Sequence, residues 1–134
     1  MKRLSGVTLL EERAGEGTPA QKGDRLVYNS RIFLNKGEEV ALNTKQAEHL
    51  PESMLRVEGG VTLVDHTIVL GRRQVIGGLE VALMGMKVGG YRKVRIGPHL
   101  AYREKGIPDL IPPHAVLVVE LWLRMIIPTR KVHA

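Results

Sequence analysis

Residues 115–126, AVLVVELWLRMI, set the strongest limit on what this chain can fold into. The run is nearly all apolar and rich in β-branched residues, which suits a strand deep inside a sheet. Further stretches can supply its neighbours. Residues 6–12 alternate well enough for a first strand. Residues 24–34 place Leu26, Tyr28, Ile32 and Leu34 on one face. Residues 61–70 are again strand-like and close at Gly71, and residues 90–97 point Val94 and Ile96 inward with Lys93 and Arg95 toward solvent. Asn35-Lys36-Gly37 is a hairpin turn that returns the chain toward residues 39–42.

Only one segment carries a clear helical period. In residues 74–84, Ile76, Leu79 and Leu83 form one apolar stripe, and Gly85 stands where a left-handed cap belongs. The Gly77-Gly78 pair is poor in helix propensity, so close approach of a neighbour or a ligand is one reason for it. Residues 98–113 hold four prolines and form a long loop, not a central strand. Residues 43–60 have the weakest pattern: a helical turn near 44–50, then Pro51, then Gly59-Gly60. They read as an irregular insert at the sheet edge. Together these elements predict an α+β domain in which a twisted antiparallel sheet wraps one short helix.

At 134 residues, a single domain over 1–134 with one core is the expectation. The absence of cysteine excludes disulfides and cysteine chemistry. The apolar run after the basic start is too short for a signal-peptide core, and no run has the length to span a bilayer, so a cytoplasmic protein without a membrane partner is expected. The net charge of +6 comes from scattered basic residues, some in 71–73, 91–95 and 124–133. Aromatics are only 4% of the chain, too few for stacking platforms, which argues against a nucleic-acid partner. His49, His66, His99, His114 and His133 show no ligand spacing, so no metal is expected. No hydrolytic triad or phosphate-binding glycine loop is visible.

The order and wording of residues 74–122 carry a resemblance. VIGGLE (75–80), GMKVGG (85–90), the 98–102 run, IP (107–108), IPPHA (111–115) and LVVEL (117–121) resemble the core of the FKBP family of peptidyl-prolyl cis-trans isomerases. Gly6-Val7, Gly15-Glu16-Gly17, Lys22-Gly23-Asp24 and the 35–37 hairpin also match, while 43–60 is the poorly matching insert. The resemblance implies an FKBP-like fold and an isomerase that needs no cofactor. Its partners would be proline-containing peptides or unfolded protein segments, with roles in protein folding as a chaperone.

The resemblance also implies a site. The Ile76 N–H would donate to the substrate carbonyl and the Tyr102 hydroxyl to the bound peptide. Val75 would stand at the helix entrance, Leu79 at the pocket floor, Leu110 and Ile111 on a loop wall, and Val119 at the back. Several positions depart from the family pattern. Leu79 replaces a tryptophan, Ser30 a tyrosine, Val40 a phenylalanine, Ala41 an aspartate, Val119 a phenylalanine and Arg103 a glycine. His66 takes the place of an aromatic on the strand before the helix. Two functions are therefore open: a weak isomerase, or an FKBP scaffold kept for protein binding after losing activity. Macrolide inhibitors of the family, such as tacrolimus, are expected to bind poorly.

Overall fold

The computed structural model describes residues 2–4 and 6–127. Its centre is a six-stranded sheet, antiparallel at every pairing, in the order β1-β2-β7-β8-β3-β6. The strands are β1 (Lys2–Leu4), β2 (Val7–Arg13), β3 (Arg25–Leu34), β6 (His66–Val69), β7 (Tyr91–Ile96) and β8 (Leu117–Ile127). β8 lies between β7 and β3, as the apolar run predicts. Its two faces nevertheless differ. Leu117, Val119, Leu121 and Leu123 are fully buried, whereas Val118, Glu120, Trp122 and Arg124 are half-exposed on the outer face.

The inner face is covered by α2 (Gly77–Leu83), which buries Leu79, Ala82 and Leu83 against it. The helix is shorter than residues 74–84 because Ile76 is its N-cap and Gly85, at φ +82°, terminates it. Arg92 reaches from β7 to the last helical turn and donates to the carbonyls of Ala82 and Met84 at 2.9 and 2.8 Å. Gly78 answers the question of the paired glycines. A Cβ there would lie 2.4 Å from Ile96 Cγ2, so the helix sits on β7 at a distance that only glycine permits.

Two expectations need correction. Residues 61–70 are not one strand: β5 (Val61–Val64) and β6 are separated at Asp65 and belong to different sheets. Asp65 ends β5 because its carboxylate is held by Arg56 at 2.8 and 3.0 Å and by Asn29 at 2.7 Å. The insert is also more ordered than its pattern suggests. It forms α1 (Leu42–Ala47), a 3-10 turn (Glu52–Met54) and β4 (Leu55–Glu58), which pairs with β5 as a separate two-stranded sheet. A buried Asn43 ties α1 down, donating to the Ser30 carbonyl at 2.7 Å and accepting from the Val64 N–H at 3.2 Å.

Four arginines are paired with acids on the surface of the fold. Arg31 pairs with Glu39, Arg56 with Asp65, Arg92 with Glu12, and Arg124 with Glu58. Part of the basic tail lies outside the described residues. No helix among the described residues is long and apolar enough to cross a membrane.

Candidate functional site

The inner face of β3 opens into a cavity of about 240 Å³ between β3, β6, α1 and α2. Its walls are built by alternation along strands. Tyr28, Ser30 and Ile32 point inward from β3, and the β3–β6 register sets Tyr28 opposite His66. Val40, Leu42, Asn43 and Gln46 close one side from the start of the insert. Gln74, Val75, Ile76 and Leu79 come from the entrance and first turn of α2, and Tyr102 comes from the long loop.

Two loops hold these groups in place. Glu80 accepts from the Gly71 N–H at 2.7 Å and the Arg73 N–H at 3.0 Å, which fixes the turn that leads into α2. The loop bearing Tyr102 is braced by its own backbone. Gly106 donates to the Tyr102 carbonyl at 3.0 Å, His114 donates to the Arg103 carbonyl at 2.7 Å, and Ile107 and Ile111 exchange a bridge. The Ile76 N–H, lying just before the helix, makes no hydrogen bond among the described residues. Ile76 lines the cavity, and its N–H is left without an acceptor among the described residues.

The electrostatics follow from burial. The Tyr28 hydroxyl is pushed well above its ordinary value, first by burial and then by the Tyr102 and Glu80 charges. Burial raises Tyr102 as well. Both phenols therefore stay protonated donors at any pH the fold would meet. His66 is held below its ordinary value because burial disfavours the imidazolium, against a smaller opposite pull from Asp65. Among the described residues, no acidic side chain lines the cavity. The arrangement is a small, mostly neutral pocket with hydrogen-bond donors at its wall.

Of the residues singled out in the sequence, Ser30, Val40, His66, Val75, Ile76, Leu79 and Tyr102 converge on this cavity. Leu110, Ile111 and Val119 do not border it. Ile111 and Val119 are 3% and 0% exposed in the core, and Leu110 packs half-buried against that core. Val119 is paired with Ile32 on β8, the strand beside β3 on the side away from β6 and the cavity, and Ile111 is pulled inward by its bridge to Ile107. Sequence reasoning missed Tyr28, Ile32, Leu42, Asn43, Gln46 and Gln74. Tyr28 and Ile32 did carry a signal, since they share the apolar face of residues 24–34 with Ser30 between them.

Comparison with known proteins gives this geometry a family. The FKBP-type peptidyl-prolyl cis-trans isomerase profile matches residues 16–124. The chain is 32% identical over 123 residues to FK506-binding protein 4 of Chaetomium thermophilum, covering 92% of this chain and 22% of that protein. It is 49% identical over 55 residues to the 46 kDa FK506-binding nuclear protein of Spodoptera frugiperda, 41% of this chain and 13% of that one. Against FK506-binding protein 1A of Neurospora crassa it is 28% identical over 119 residues, 88% of this chain and 86% of that one. The chain thus spans less than a quarter of the larger relatives. With its order of elements, its sheet around one short helix and its match over residues 16–124, the chain belongs to the FKBP-type peptidyl-prolyl cis-trans isomerase family.

Proposed function

We propose that this domain is a peptidyl-prolyl cis-trans isomerase that takes a prolyl ring of a protein chain into the cavity beside Tyr102. The observation that carries this reading is the cavity itself. At about 240 Å³ it is smaller than the ~300–1,000 Å³ typical of drug-sized ligands, and it suits one ring with its flanking atoms. It presents a free Ile76 N–H and the Tyr102 phenol to a neutral interior.

Rotation about an Xaa-Pro bond crosses a barrier of about 18–20 kcal/mol because twisting the amide breaks its resonance. The twisted amide has less charge separation than the planar one. A neutral pocket that strips water from the amide therefore disfavours the planar ground state relative to it. Donors preorganised for the twisted form add to the effect. Ile76 would hold the substrate carbonyl, Tyr102 the peptide, and Leu79, Val75 and Val40 the ring. No nucleophile, general base or cofactor is needed. Assistance to protein folding belongs to the same reading.

A binding module without catalysis is the second reading. The observation that favours it is that no carboxylate among the described residues lines the cavity, whereas the family pattern would place one at Ala41. Exchange NMR on a short Xaa-Pro peptide separates the two. The isomerase reading expects acceleration by catalytic amounts of protein, reduced about two- to tenfold by Tyr102→Phe, the worth of one neutral hydrogen bond. Binding with no acceleration at high protein concentration leaves the module.

A further inference from the structure

We propose that the insert builds a second subsite, a groove that holds the extended segment next to the proline of the same substrate chain. The inference rests on the proline-pocket reading above.

The groove has a volume of about 840 Å³ and adjoins the small cavity, because Gln46 and His66 line both. One wall is Lys45, Glu48, His49, Leu50 and Met54 of the insert, and the other runs along Val64 to Thr67. Its second wall is a sheet edge. β6 pairs with β3 alone, and Leu70 donates to the Asp24 carbonyl, so even-numbered residues of this segment face β3. The odd-numbered ones face away. Asp65 accordingly donates to the Met54 carbonyl and Val69 donates to the Gln74 side chain. Between them, Thr67 is exposed, and its peptide group points outward at the unpaired edge.

An extended peptide fits this chemistry. Its backbone can pair with Thr67 as an added strand, while an alternate apolar side chain rests on Leu50 and Met54. Met54 is 38% exposed with no partner to explain it, and a flexible thioether adapts to varied side chains. Lys45 and Glu48 oppose each other in sign and the Asp65 carboxylate is already paired with Arg56, so the groove selects for apolar extension and not for net charge. The shared His66 then sets the spacing: the segment in the groove and the ring in the pocket must lie on neighbouring residues of one chain.

The test titrates the isotopically labelled protein with a blocked Ala-Leu-Pro-Phe peptide and with the same peptide extended at both ends by alternating leucines. The expected result is about tenfold tighter binding of the longer peptide, the effect of burying roughly one further leucine. Amides of Leu50, Met54 and Thr67 shift with the longer peptide only, and Ile76 and Tyr102 shift with both. Met54→Glu, with a well-dispersed spectrum, removes the advantage and leaves the short peptide unchanged. Equal affinities with shifts confined to Ile76 and Tyr102 overturn the groove and leave the pocket standing. Shifts with neither peptide overturn both. Groove shifts that persist undiminished when the peptide's proline is replaced by alanine sever the groove from the pocket, and overturn the inference also.

Discussion

The rings of Tyr28 and His66 lie 5.4 Å apart, centre to centre, and are inclined at 31°. They stand on adjacent strands at paired positions and form the strand-borne aromatic part of the cavity wall, with Tyr102 facing in from the long loop. The aromatic missing at Leu79 and Ser30 is in this sense supplied from β3, one alternation away from Ser30. Ring pairs of this geometry contribute about 0.5–1.5 kcal/mol beyond their buried area.

Tyr28 and Leu79 line the same cavity from facing elements, so their sizes should be coupled. Tyr28→Val should lower stability by about 2–4 kcal/mol through the void it leaves and the lost ring pair. Leu79→Trp alone overfills the space and should cost about 1–3 kcal/mol without raising turnover. The double variant should recover part of both losses, with a coupling of about 1–2 kcal/mol in a urea-denaturation cycle. Strict additivity would show that the two side chains do not share the space.

His66 gives the domain an acid sensitivity. Its folded pKa lies below the unfolded value because burial disfavours the cation. The unfolded chain then binds the proton more readily, so the stabilising contribution is complete above the ordinary histidine range. It is lost as pH falls through the folded pKa. Titration of the His66 ring by NMR should give a midpoint below that of a histidine in the denatured chain. His66→Phe should flatten the pH dependence of stability between about pH 5 and 7. A midpoint at or above the ordinary value would contradict the burial argument.

Legibility in the sequence tracked how local the cause was. β8, the α2 stripe and the cap at Gly85 follow from period and backbone preference within a few residues. The β4–β5 hairpin did not, because Leu55-Arg56-Val57-Glu58 alternates with little burial on either face. The break at Asp65 depends on Arg56 and Asn29, which only the fold brings to it. The Tyr28–His66 wall was hidden for the same reason: each residue looks ordinary on its own strand, and the register makes the pair. Leu110, Ile111 and Val119 show the converse. The loop and strand that carry them are legible, but which side chains turn toward the cavity depends on bridges and strand order that no spacing encodes.

Asn43 joins three elements with one amide, and its loss should be felt beyond its own position. Asn43→Ala leaves the Ser30 carbonyl and the Val64 N–H without their partner at a buried site. The expected cost is about 2–4 kcal/mol, read as a lower urea midpoint with little change in slope. Hydrogen exchange should quicken most in α1 and β5. A loss spread evenly over all strands would mean that the insert is not the element Asn43 holds.

The loop that carries Tyr102 has one position with no room to yield. Gly106 has φ +59°, and a Cβ there would lie 2.2 Å from the Ile111 carbonyl oxygen and 2.8 Å from Pro112. Those are backbone atoms, so relief requires the loop itself to move. Gly59 has nearly the same backbone, φ +55°, with nothing within 4 Å of its Cβ, and it separates the two effects. Gly59→Ala should cost only the left-handed strain, about 1–2 kcal/mol. Gly106→Ala adds the clash and should cost about 2–4 kcal/mol in all. Because Gly106 also donates to the Tyr102 carbonyl, its replacement shifts the phenol and should lower peptide affinity, while Gly59→Ala leaves affinity unchanged. Equal stability losses at the two glycines would place the whole cost in the backbone angle and none in the crowding against Ile111.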